Sequence, residues 1–252
     1  MSGHSKWATT KHRKAAQDKK RSALFSKLSR IITVAAKSGG DPNPENNASL
    51  AAAIAKAKSY SLPKDKIEIA IGKAFSAGAD AAAYEEVVYE GYGPAGVALY
   101  VEALTDNRNR TAADVRAAFT RAGGNLGATG SVAFQFERKG EITLVGQGDL
   151  DADELLLLVA EAGGEDLEVG DEAALVYTAP GEVMAVKAAL ESAGVDVKGA
   201  ELVMEPVTTV TVALEDAKKV LRLVDRLEEL DDIQNVYHTM ELTEEIAEAL
   251  EA

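Results

Sequence analysis

Residues 141–204 read EITLVGQGDLDADELLLLVAEAGGEDLEVGDEAALVYTAPGEVMAVKAALESAGVDVKGAELVM, and their changing periodicity decides the fold. Glu141–Val145 is a short strand. Asp151 is a helix cap, and Asp151–Ala162 is a helix behind it. Strands follow near Leu167–Val169 and Ala174–Thr178, then a helix over Pro180–Ala193 and a strand over Val195–Met204. The order is βαββαβ, the split-βαβ arrangement of ferredoxin-like domains.

The flanks read as parts of a second α+β domain. Upstream, Tyr84–Glu90 and Val97–Leu104 are strands joined by Gly91–Gly96, and Thr111–Ala122 is a helix with Val115, Ala118, Phe119 and Ala122 inward. A loop with Gly123, Gly124, Gly127 and Gly130 leads to a strand at Ser131–Phe136. Downstream, Pro206 punctuates the chain. Thr208–Leu214 is a strand, Glu215–Leu230 a helix with Val220, Leu221, Val224 and Leu227 inward, and Ile233–Met240 a strand. The economical map is a discontinuous α+β domain, 84–136 plus 207–252, with a domain over 137–206 inserted in it.

Before residue 80 the pattern is helical. Leu24, Leu28, Ile31, Ile32 and Ala35 share one helix face, which Gly39-Gly40 ends. A second helix over Asn47–Tyr60 turns Leu50, Ile54 and Ala57 inward. Pro63 suits the first turn of a third, where Ile67, Ile71 and Phe75 face their partners. Residues 1–80 are therefore a three-helix domain, and Ser76–Ala83 a linker. The expected class is α+β, multidomain.

Composition narrows the function. The 252 residues include no cysteine, which excludes disulfides, thiol nucleophiles and Cys-ligated metal centres. The longest apolar runs, such as Leu50–Ala55 and Leu155–Ala160, fall far short of the ~20 residues that cross a bilayer. No secretory signal is visible at Met1–Lys6, so the expectation is a cytoplasmic protein without membrane contact. The net charge of −14 hides a division. Residues 1–73 hold 15 Lys/Arg against 5 Asp/Glu, a balance of +10, whereas residues 74–252 stand at −24. A basic module is attached to an acidic body.

The candidate sites follow from that division. Gly91-x-Gly93-x-x-Gly96 matches a dinucleotide fingerprint as a string, but β-rich residues follow it and not a helix, so it reads as a hairpin turn. The glycine loop at 123–130 lacks the Lys-Ser/Thr of a P-loop. His4, His12 and His238 are not in ligand spacing, so neither a metal nor any other cofactor is expected, and no catalytic group is assigned. The basic tract supplies the nucleic-acid candidates: Lys6, Trp7, Lys11, His12, Arg13, Lys14, Lys19, Lys20, Arg21 and Lys27. Acids are nearly absent there, whereas a solvated face mixes signs. Trp7 either stacks on a base or pins the segment to the bundle. A transit peptide would also be basic and acid-poor, but this tract runs directly into a helix with a core-facing stripe. The run Asp106-Asn107-Arg108-Asn109-Arg110 has two readings: a polar turn with Asn109 or Thr111 as cap, or a phosphate site built on Arg108 and Arg110 with Asp106, Asn107 and Asn109 touching a partner.

Several blocks carry a resemblance. Ser2-Gly3-His4-Ser5-Lys6-Trp7, Lys11-His12-Arg13-Lys14, Tyr89-Glu90-Gly91-Tyr92-Gly93-Pro94, Thr105–Arg110, Gly130-Ser131-Val132 and Leu227–Asp232 resemble, in order, the signature blocks of the YebC family. Ala51, where many members have Arg, and Thr239-Met240, where Asn-Phe is usual, depart from the pattern. The resemblance implies a helical domain followed by two α+β domains, one inserted in the other, with no known catalytic activity. It implies a probable transcriptional regulator that binds DNA. It also implies an alternative: a translation factor that contacts ribosomal RNA or tRNA at the ribosome and relieves stalling at proline-rich stretches.

Overall fold

The structure is a computed structural model that describes residues 18–76, 84–145, 151–170, 173–243 and 245–247. It forms two compact units, one of residues 18–133 with 218–236 and one of 134–217 with 237–247. No described helix is long and apolar enough to cross a membrane.

The first unit opens with three helices, α1 (Asp18–Gly39), α2 (Ala48–Ser59) and α3 (Lys64–Phe75). Leu28, Ile32 and Ala36 recur along one face of α1 and bury against Leu50, Ala53 and Ala57 of α2 and Ile67 and Ala70 of α3. Leu24, Ile31, Ala35, Ile54 and Ile71 pack around this core. Phe75, expected inward, is instead exposed at the end of α3. The turn into α2 is pinned by Asn47, whose side chain accepts from Leu50 N–H and donates to the Ala35 and Asp41 carbonyls. A side chain at Gly39 would collide with that amide, and Gly40 takes φ +69°, so both glycines are needed to end the helix here.

The same unit carries the first sheet, with β1 (Glu85–Tyr92), β2 (Ala98–Thr105), β3 (Asn125–Leu126) and β8 (Ile233–His238) in the order β3-β1-β2-β8. β1 and β2 pair antiparallel from Glu85↔Thr105 to Tyr92↔Ala98, and a single 3-10 turn over Pro94–Gly96 joins them, so Gly91–Gly96 is a hairpin. Helix α4 (Arg108–Arg121) buries Val115, Ala118 and Phe119. Helix α7 (Leu214–Glu228) buries Val220, Leu221, Val224 and Leu227. The strand expected at Ser131–Phe136 is not there. The third strand is the pair Asn125–Leu126, because the backbone of Ser131–Ala133 turns to meet a carboxylate described below.

The second unit holds the ferredoxin-like fold: β4 (Phe136–Val145), α5 (Ala152–Ala162), β5 (Asp166–Val169), β6 (Ala173–Thr178), α6 (Val183–Ser192) and β7 (Val197–Pro206), with strand order β5-β6-β4-β7. β4 starts five residues earlier than its apolar run. Its Phe136–Thr143 segment pairs with β7, and the consecutive charged residues Glu137, Arg138 and Lys139 mask the strand in the sequence. Asp151 and Glu154 form a reciprocal capping box on α5. Ile142, Leu144, Leu155, Val159, Val176, Val186 and Leu190 fill the core between helices and sheet. The strand expected at Thr208–Leu214 is reduced to one parallel bridge, Val210↔Met240, with Val210 N–H donating to the Thr239 carbonyl. Met240 and His238 are fully buried, so the unusual Thr239-Met240 pair is interior packing.

Candidate nucleic-acid interface

Lys6, Trp7, Lys11, His12, Arg13 and Lys14 lie outside the described residues. Lys19, Lys20 and Arg21 fall in the first two turns of α1, with side chains outside the described set. Lys27 is described, and it is turned inward: it is 9% exposed, and its Nζ donates to the Glu228 carbonyl at the end of α7. One position before Leu28, it sits at the margin of the buried stripe, so its alkyl stem packs and its ammonium caps a helix end. That position is favourable for a cation. Lys27 is therefore a tie within the fold, which withdraws it from an outward basic face.

Arg30, one turn on, makes the same kind of tie. Its Nη1 donates to the carbonyls of Leu104 and Asp231 and to Asp232 Oδ1 at 2.8 Å, and its guanidinium lies 5.1 Å from the Tyr84 ring centre. Asp232 is the centre of this cluster. Its Oδ2 accepts from Arg110 at 2.8 Å and from the Thr111 hydroxyl at 2.7 Å, and the Thr105 hydroxyl stands 3.2 Å away. Burial alone would raise the Asp232 pKa. The hydrogen bonds from Arg110 and Thr111, with the charges of Arg110 and Arg30, outweigh it and hold the carboxyl below its usual range.

These contacts decide the shape of the 106–110 run. Asn107 is the N-cap of α4, accepting from Arg110 N–H at 3.1 Å, so the helix begins before Thr111 and both arginines sit in its first turn. Arg110 bridges Asp106, 2.7 Å away, and Asp232, and these hydrogen bonds raise its pKa further. Arg108 is more exposed and stands 3.6 Å from Glu85, while Tyr89 donates to its carbonyl. Asn109 is exposed on the same turn. Of the five residues only Asp106 and Arg110 line an open hollow of about 520 Å³, with Arg30, Asp114, Glu229, Asp231 and Asp232; Asn107, Arg108 and Asn109 are outside its lining. Its lining holds Arg30 and Arg110 against five carboxylates, so the hollow is net negative and repels phosphate. The geometry favours the turn-and-cap reading for Arg110, with the cap at Asn107; Arg108 alone keeps an outward guanidinium.

Two residues that hold this region together had no assigned role in the sequence reading. Asp232 is one. Glu90 is the other: 3% exposed, its carboxylate accepts from Gly130 N–H at 2.6 Å and from Val132 and Ala133 N–H at 2.8 Å each. Burial would raise its pKa, and the three amides together lower it. Both acids lie in signature blocks, and Glu90 physically joins two of them, Tyr89–Pro94 and Gly130–Val132. The signal was present in the sequence, but nothing local distinguished a buried anchor from a surface acid. Among the described residues no group of three or more His, Asp or Glu side chains is placed to hold a metal ion.

Residues 5–77 match the TACO1/YebC protein N-terminal domain, and residues 84–240 match the TACO1/YebC second and third domain. A "Probable transcriptional regulatory protein" of Bifidobacterium animalis subsp. lactis (strain AD011) is 49% identical over 251 residues, covering 100% of this chain and 99% of that one. A protein of the same name from Rubrobacter xylanophilus is 50% identical over 246 residues, 98% of each. The crystal structure of the conserved hypothetical protein Aq1575 from Aquifex aeolicus superposes with a TM-score of 0.82 at 46% identity, covering 91% of this chain and 93% of that one. Helical bundle, split sheet and ferredoxin-like unit thus recur with their sequences along nearly the whole chain, which belongs to the TACO1/YebC family.

Proposed function

We propose that this chain is a non-catalytic, nucleic-acid-binding regulatory protein of the cytoplasm, acting as a DNA-binding transcriptional regulator. The observation that carries the reading is the charge division, +10 over residues 1–73 against −24 over the rest. A basic segment supplies affinity through phosphate contacts, with steep salt dependence. The acidic remainder keeps nucleic acid off its own surface. The name shared by the relatives supports a regulatory role. The contact residues we assign are Lys6, Trp7, Lys11, His12, Arg13, Lys14, Lys19, Lys20 and Arg21, with Arg108 as the outlying cation of the body.

A second reading, an RNA-directed factor working at the ribosome on ribosomal RNA or tRNA and relieving stalling at proline-rich sequences, is favoured by one observation. The exposed positions of α2 and α3 carry Ala, Ser, Lys, Asp, Glu, Ile, Gly and Phe, and no Asn, Gln or Arg of the kind that reads base edges. Such a surface suits recognition of structured RNA by shape and phosphate. Reversing Lys11, Arg13 and Lys14 to Glu tests both readings. Binding to duplex DNA and to structured RNA is lost at moderate salt if the segment is the interface, and equal binding by parent and variant refutes it. Cross-linking in cells, with sequencing of the bound nucleic acid, separates DNA from ribosomal RNA.

A further inference from the structure

One helix end and two helix starts converge at one end of the bundle. Asn47 ties the start of α2 to the Ala35 carbonyl near the end of α1. The twelve residues of α2 then run back about 18 Å toward the beginning of α1. Leu62 N–H donates to the Ala57 carbonyl as the chain turns again, and Thr33 Oγ1 lies 2.9 Å from the Ala70 carbonyl, so α3 starts at the same end. The last turn of α2 and the first turn of α3 are therefore neighbours, and Lys58, Lys64 and Lys66 are exposed there. The connection at the opposite end carries Asp41 and Glu45.

Helix electrostatics account for only part of this clustering. Lys58 complements the negative end of α2. Lys64 and Lys66 stand in the first turn of α3, the positive end, where acids are favoured and lysines are not. Asp65 is the acid in that turn, Pro63 offers no side-chain cap, and Glu68 approaches Lys64 only at 3.7 Å across the surface. Two cations are kept where the fold disfavours them, beside a third, on the end where α1 begins and with which the basic tract is continuous in sequence.

We infer that this end of the bundle, through Lys58, Lys64 and Lys66, is a second contact surface for the phosphate backbone of a nucleic acid. The inference rests on the nucleic-acid reading above and places part of the contact on folded helices. The occupant is a polyanion by charge complementarity, and its source, DNA or RNA, is separated by the test. Full-length chain is titrated by fluorescence anisotropy into duplex DNA and duplex RNA of about 20 base pairs over a series of salt concentrations. The variant Lys58→Ala/Lys66→Ala is compared with Lys73→Ala at the far end of α3. Alanine at exposed helix positions preserves the helices, which circular dichroism checks. The double variant lowers the slope of log K against log salt by about 2, roughly 0.9 per lost phosphate contact on B-DNA. Lys73→Ala leaves the slope unchanged. A loss confined to RNA assigns the surface to RNA, and a loss on DNA alone assigns it to DNA. An unchanged slope and affinity in the double variant, while the Lys11/Arg13/Lys14 reversal still abolishes binding, overturns this inference alone. A parent chain that binds neither duplex overturns it together with the reading on which it rests.

Discussion

Replacing Glu90 with Gln changes one oxygen of a buried carboxylate to an amide nitrogen, where the structure aims three backbone N–H groups. Gly130 N–H meets one oxygen, and Val132 and Ala133 N–H share the other. Gln keeps an acceptor for at most one side of this arrangement. Its best rotamer turns the oxygen to Val132 and Ala133, and the NH2 then faces Gly130 N–H. One charge-assisted bond, worth about 1.5–3 kcal/mol, becomes a donor–donor clash, and the other two fall to neutral strength, about 0.5–1.5 kcal/mol each. Because the bonds share one partner, the net loss is about 2–4 kcal/mol. With a urea m-value of about 2 kcal/mol/M, the unfolding midpoint falls by about 1–2 M. Amide exchange at Gly130, Val132 and Ala133 accelerates with it. The pH dependence has a definite sign. The folded pKa of Glu90 lies below its ordinary value, so its stabilisation is complete above the unfolded pKa of about 4.3 and fades as pH falls through the folded one. Parent and variant therefore converge below about pH 4. A loss under about 0.5 kcal/mol at pH 7, with unchanged exchange at the three amides, would refute the anchoring role.

Asp232→Ala leaves Arg30, 18% exposed, without its carboxylate, and costs about 3 kcal/mol at neutral pH, measured by chemical unfolding. In a double-mutant cycle with Arg30→Met the penalty shrinks, because no charge is then stranded; strict additivity would sink the tie between α1 and the β8 entry. The two arginines of the 106–110 run behave differently. Arg110→Ala lowers the melting temperature, since Asp106 and Asp232 lose a shared partner. Arg108→Ala leaves stability within about 0.5 kcal/mol, as at ordinary exposed sites. Equal melting temperatures for the two variants would return Arg110 to a surface role.

The amino-acid sequence by itself determined what is local and periodic. The apolar spacings of α1, α4 and α7, the Asp151 cap, the Gly39-Gly40 stop and the βαββαβ order of the second sheet are properties of short segments, and each is present in the folded chain. It also determined the separation of charge, because that is a count along the chain. Periodicity fails where a strand's faces are not divided into apolar and polar. β4 runs through Glu137, Arg138 and Lys139 because its pairing with β7 satisfies the backbone whatever the side chains. The converse holds at Ser131–Phe136, an apolar stretch in which a buried carboxylate takes the Val132 and Ala133 amides in place of a strand partner. Only the tertiary structure decided which charges are internal. Lys27 and Arg30 belong to the basic tract in sequence, yet they meet partners about 200 positions away at Glu228, Asp231 and Asp232. Lys58 and Lys66, unremarkable in the chain, become neighbours because two short turns fold α2 and α3 back to one end of the bundle. A charge's role depends on the dielectric and the partners around it, and both are fixed by contacts between residues far apart in sequence.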